Sequence, residues 1–98
     1  MQKIINGKMY DTETAKEIAV NDIHDIYESF HIYEHLYRKK TGEYFLERDI
    51  FGYGSAMEEY YWVLEHRFEP LSIEETKKWM ESYCDAEVYI EEFGEPEE

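Results

Sequence analysis

A chain of 98 residues with one cysteine, Cys84, cannot close a disulfide within itself, and nothing in its thiol content calls for an oxidising compartment. Long apolar runs are missing too. No segment approaches the roughly 20 apolar residues that span a bilayer as a helix. Met1 to Tyr10, with Lys3 and Lys8, has no apolar stretch of signal-peptide length, so a cytoplasmic location is expected. Positive charge is scarce: 24 acids face 10 Lys and Arg, a formal net charge of -14. Such a field repels nucleic acid and anionic membranes, strains the compact state by self-repulsion and attracts basic protein surfaces.

What is present is packing material. The chain is 43% hydrophobic and 17% aromatic, with ten Tyr, five Phe and two Trp, too rich in core-forming groups for a disordered acidic tail. Its length fits one domain, expected over residues 1–94 with a frayed acidic tail at 95–98. The acidity is unevenly spread. Residues 1–57 hold 10 acids and 7 bases, whereas residues 58–98 hold 14 acids and 3 bases, and no base follows Lys78.

Local signals predict a small α+β fold: an antiparallel sheet of about three strands with a central hairpin, packed against a short N-terminal helix and two C-terminal helices. Asn6-Gly7 between short apolar patches predicts a tight type I′ turn. Asp11 reads as the N-cap of a helix over about 12–20, because Ala15, Ile18 and Ala19 recur at helical spacing. Residues 21–30 fit helix or strand. His31 to Tyr37 and Glu43 to Arg48 flank Arg38-Lys39-Lys40-Thr41-Gly42, which reads as strand, turn, strand with Gly42 at a positive φ. Alternation sets Tyr33, His35 and Tyr37 on one face and Ile32, Glu34 and Leu36 on the other, so one face packs on helices and the other either shows aromatics to solvent or a partner or holds the tyrosines as ordinary half-buried packing groups with wet hydroxyls. Gly52-Tyr53-Gly54-Ser55 reads as a break. Met57 to Leu64 can begin as helix, but residues 60–68 read better as a third strand ended by Pro70.

Leu71-Ser72-Ile73-Glu74-Glu75 carries a capping box and a staple, predicting a helix with a stripe of Ile73, Thr76, Trp79, Met80 and Tyr83. Asp85 caps a second helix with Ala86, Tyr89, Ile90 and Phe93 on one side, stopped at Gly94.

Catalytic and cofactor motifs are lacking, and no enzyme activity, cofactor or metal is expected. Gly52-x-Gly54-Ser55 has neither the third glycine of a dinucleotide loop nor the Gly-Lys-Ser/Thr end of a phosphate loop. His31 and His35, with Glu34 and His24 nearby, suggest a metal pair, and a small metal-dependent enzyme is one alternative, but a zinc site needs three or four converging ligands. Acidic neighbours raise the Cys84 thiol and suppress the thiolate. Arg38-Lys39-Lys40 is read as a solvated turn or an internal partner for the acidic helices rather than a nucleic-acid contact. The sharpest functional candidate is the C-terminal acidic surface: Glu74, Glu75, Glu81, Asp85, Glu87, Glu91 and Glu92 either form a solvated face that serves solubility alone or imitate nucleic-acid phosphates, with Tyr33 and Tyr37 as aromatic anchors.

Three blocks carry a resemblance. They are Ile4-Ile5-Asn6-Gly7-Lys8-Met9-Tyr10-Asp11-Thr12-Glu13-Thr14-Ala15-Lys16, Leu36-Tyr37-Arg38-Lys39-Lys40-Thr41-Gly42-Glu43-Tyr44-Phe45-Leu46, and Pro70-Leu71-Ser72 with Glu75, Lys78 and Trp79. Together with Asp85-Ala86-Glu87 and Phe93-Gly94, they resemble small acidic proteins of phages and mobile elements of Gram-positive bacteria, a group similar to anti-CRISPR inhibitors of the type II effector nuclease. The resemblance implies an inhibitor acting inside a bacterial host cell on a basic, nucleic-acid-binding partner such as that nuclease, with no direct contact to nucleic acid or membrane. A different class, a regulatory adaptor of a mobile element binding a host protein through its aromatic hairpin, fits the same composition.

Overall fold

The computed structural model describes residues 1–24, 30–53 and 61–97. Its centre is the hairpin read from the Tyr/Phe-rich runs, β4 (Phe30–Arg38) and β5 (Tyr44–Tyr53), paired in register from Phe30↔Gly52 to Arg38↔Tyr44. Gly42, at φ 94°, makes the turn, and the Gly42 amide donates to the Lys39 carbonyl at 2.9 Å. β3 (Lys16–His24) adds to the β4 side and β6 (Tyr61–Leu71) to the β5 side, so the sheet is an antiparallel meander in the order β3-β4-β5-β6. β6 runs through Pro70 rather than stopping there, which its place at the sheet edge permits, because an edge residue need not donate an amide. A separate hairpin, β1 (Gln2–Ile5) and β2 (Lys8–Asp11), turns on Asn6 at φ 51° and Gly7 at φ 76°, the two positive φ values of a type I′ turn.

Helices α1 (Ile73–Tyr83) and α2 (Ala86–Phe93) lie on one sheet face. Their core joins Trp79 and Met80 to Leu36, Tyr44 and Leu46, with Ile18, Ala19, Val88, Tyr89 and Phe93 around it. The opposite face carries a second cluster, Tyr10, Phe45 and Phe68, sealed by Ile5, Ala15 and Tyr37, so the β1–β2 hairpin covers one end of that face. Phe45 and Leu46, adjacent on β5 and both almost fully buried, anchor one core each, as strand alternation requires.

Two polar ties hold the helices to the sheet. Glu34, only 3% exposed on the helix face, accepts from Arg48 Nε at 2.9 Å, from Asn21 Nδ2 at 3.2 Å and from Trp79 Nε1 at 3.3 Å. Glu92 of α2 accepts from Arg38 Nη1 and from the Tyr44 hydroxyl at 2.8 Å. Arg38 therefore serves the acidic helices as an internal partner. Ser72 and Glu75 form the capping box, each side chain accepting from the other's amide at 3.0 Å.

Several expectations are corrected. Among the described residues the sheet has four strands, with a further two-stranded hairpin, rather than about three. No N-terminal helix forms: residues 12–15 turn and 16–24 are β3. Asp11 ends β2 instead of capping a helix, its carboxylate accepting from the Glu13 amide at 2.9 Å and Gln2 Nε2 at 3.0 Å, bonds that hold its pKa below the usual value. Residues 21–24 and 30 are strand, and Gly52 and Tyr53 continue β5. Gly54 and Ser55, and any helix begun at Met57, lie outside the described residues apart from 61–64, which are strand. Ile73, Tyr83 and Ile90 are exposed, leaving Thr76, Trp79 and Met80 as the buried stripe of α1. Asp85 occupies the N-cap position of α2 without a side-chain capping bond.

Candidate functional site

The capping box fixes where α1 begins, and the extended residues Cys84 and Asp85 separate it from α2. Glu74 and Glu81 of α1, Asp85 at the junction, and Glu87 and Glu91 of α2 are each exposed. Among the described residues none of these five forms an ion pair. Neither helix has a base in its last turn, where a cation would offset the negative end of the dipole; Glu81 and Glu91 come there instead. The two remaining members of the predicted acidic set are placed differently. Glu75 is exposed but held by the capping box, which lowers its pKa, and the Glu92 side chain is 4% exposed in its tie to Arg38 and Tyr44. A groove between the helices is lined by Met80, Cys84, Tyr89 and Ile90 with Glu81 at its rim. Burial, and then the Asp85 charge, push the Cys84 thiol up, away from the reactive thiolate.

The second candidate surface is the sheet face turned away from the helices. Beyond the β1–β2 end no described element packs over it. Alternation brings His31, Tyr33, His35 and Tyr37 of β4 beside Phe45, Glu47, Asp49 and Phe51 of β5, with His66 and Phe68 from β6. Ring contacts run along it: Tyr37 stacks on Phe45 with centroids 5.2 Å apart, and Tyr33 meets Phe51 edge-on at 5.7 Å. Tyr33 and Tyr37 thus share a half-buried aromatic face, remote from the helical carboxylates. Burial and then the Glu47 and Glu17 carboxylates push the Tyr37 hydroxyl up to about 12, so it stays protonated at any ordinary pH.

The His31/His35 metal pair does not assemble with Glu34, which points to the helix face. His35 Nδ1 lies 2.6 Å from Glu17, and His31 Nε2 lies 4.0 Å from Asp22, so each imidazole has its own carboxylate neighbour. A different group does converge: Glu47, Asp49 and His66 bring their ligand atoms within 4.8 Å of one another. In the sequence this set leaves a single signal, Glu47-x-Asp49 at strand spacing, because its third member comes from another strand. No family model, curated protein or solved structure matches the chain.

Proposed function

We propose that this chain is a non-enzymatic inhibitory binding protein whose α1–α2 surface occupies a basic, nucleic-acid-binding channel of a partner protein. The observation that carries this reading is the set of five exposed carboxylates, Glu74, Glu81, Asp85, Glu87 and Glu91, outside any ion pair among the described residues. Desolvating such a row is costly unless cations meet it, and a channel built to hold phosphates supplies them. The absence of cations from the last turns of both helices also points to a constraint other than stability. The resemblance to mobile-element proteins makes the RNA-guided type II effector nuclease the first partner to test, because that enzyme holds its heteroduplex in a positively charged channel.

A second reading, the adaptor, is favoured by the aromatic sheet face with Tyr33 and Tyr37, over which no described element packs beyond the end that the β1–β2 hairpin covers. One experiment separates the two. Target cleavage by the guide-loaded nuclease is measured with the unmodified chain and with a variant carrying Glu74→Gln, Glu81→Gln, Glu87→Gln and Glu91→Gln, across a salt series. Inhibition by the unmodified chain that weakens with salt and is lost in the variant supports the acidic reading. Equal inhibition by both proteins ends it in favour of the sheet face, and no inhibition by either removes this nuclease as the partner.

A further inference from the structure

We infer that Glu47, Asp49 and His66 form a binding site for a divalent transition-metal ion on the sheet face opposite the helices. Glu47 and Asp49 are two apart on β5 and share that face, and the register Asp49↔His66 sets the imidazole directly across the strand pair. His66 Nε2 then lies 3.0 Å from Glu47 Oε2 and 3.4 Å from Asp49 Oδ1. Those two separations match the edges of a coordination shell, in which metal–ligand bonds of roughly 2.0–2.1 Å set neighbouring ligand atoms about 3.0 Å apart in an octahedron and about 3.3 Å apart in a tetrahedron, and the third, Glu47 to Asp49, is within 4.8 Å.

An ordinary ion pair accounts for this arrangement less well. A single ring nitrogen, Nε2, faces both carboxylates, and it carries at most one proton to share between them. A cation at the centre satisfies all three atoms, with the imidazole neutral and donating its lone pair. The surroundings orient the donors. The Tyr37 hydroxyl is directed at the other oxygen of Glu47, Oε1, at 3.5 Å, leaving Oε2 to the ion, and Phe68 meets the His66 ring edge-on at 5.5 Å. Side-chain exposures of 15% for Glu47, 26% for Asp49 and 27% for His66 describe a recessed site still open on one side. Three protein ligands with an open position match the pattern of metal sites that keep a water. The mixed nitrogen and oxygen set selects ions such as Zn²⁺, Co²⁺ or Mn²⁺ over Mg²⁺ and Ca²⁺, which prefer oxygen alone. The ion would tie β5 to β6.

The chain is stripped with a chelator and titrated with Zn²⁺ by calorimetry and with Co²⁺ by visible absorption. One equivalent is expected to bind. Glu47→Gln, Asp49→Asn and His66→Gln should each weaken uptake at least tenfold, and Tyr37→Phe by about tenfold, as lost outer contacts do. The double variant His31→Gln with His35→Gln should bind as the unmodified chain does. Mn²⁺ line broadening in the nuclear magnetic resonance spectrum of the unmodified chain locates the ion without a substitution that risks the fold. Broadening centred on residues 47–49 and 66 upholds the site. Broadening centred on His31, His35 or the acidic helices, or no saturable uptake of any of the three ions, overturns it.

Discussion

At the scale of single residues, Glu34 ties more of the fold together than its one side chain suggests. Its two carboxylate oxygens take up Arg48, Asn21 and Trp79, so α1 and three strands meet at one nearly buried charge. Replacing Glu34 with Ala leaves Arg48 only Glu69, at 3.1 Å, as an ion-pair partner among the described residues, and leaves the Trp79 indole N–H without its acceptor. The expected cost is about 3 kcal/mol, the low end for breaking a buried pair because the Arg48 side chain is 22% exposed and can reach water. Urea unfolding measures it. Adding Arg48→Met should recover part of the loss, since the guanidinium that has lost its nearly buried partner is then gone; a double variant that loses the full sum of both single effects would show that the pair acts only as packing.

Among the elements, legibility followed how local the determining physics was. Asn6-Gly7, Gly42 and the Ser72–Glu75 box are each specified by adjacent residues, and each formed as read. The mistaken helix over 12–20 has a definable source. β3 shifts register between Glu17 and Ala19, so Ile18 is the extra residue of a bulge, and Ile18 and Ala19 both pack against the helix-side core. Two adjacent inward residues break the period of two and imitate the period of a helix. The Glu47–Asp49–His66 convergence was hidden for a related reason: the β5–β6 register also shifts, between Ile50 and Phe51, and the partner of Asp49 depends on a pairing that no local pattern encodes. The helices themselves give a prediction that separates stability from function. Glu91, in the last turn of α2, opposes the dipole and follows Glu87 by one turn, so Glu91→Lys should gain about 0.5–1 kcal/mol from the dipole and a new i,i+4 pair. Thermal unfolding should rise while affinity for a basic partner falls; a variant that is more stable and binds equally well would take Glu91 out of the interface.

For the whole molecule, charge is polarised. The first 57 residues are nearly balanced and make most of the described ion pairs, including Lys8–Glu43, Lys39–Glu43 and Arg48–Glu34, whereas the surplus of acid falls on residues 58–98. The pairs and the surplus respond to salt in opposite directions. Screening weakens exposed pairs, each worth little in water, but it also relieves repulsion among carboxylates, and the Debye length contracts from about 30 Å at ~0.01 M to about 8 Å at ~0.15 M. With 24 acids against 10 bases, repulsion dominates. The melting temperature should therefore rise over that salt range, while any complex formed through the acidic helices weakens. The fourfold Glu→Gln variant at 74, 81, 87 and 91 should start higher at low salt and respond less steeply, because four of the repelling charges are gone. Differential scanning calorimetry across the series decides it: a melting temperature that falls with added salt would mean that the ion pairs of the first half outweigh the surplus of the second, and that the acidic helices stand in the fold at no electrostatic cost.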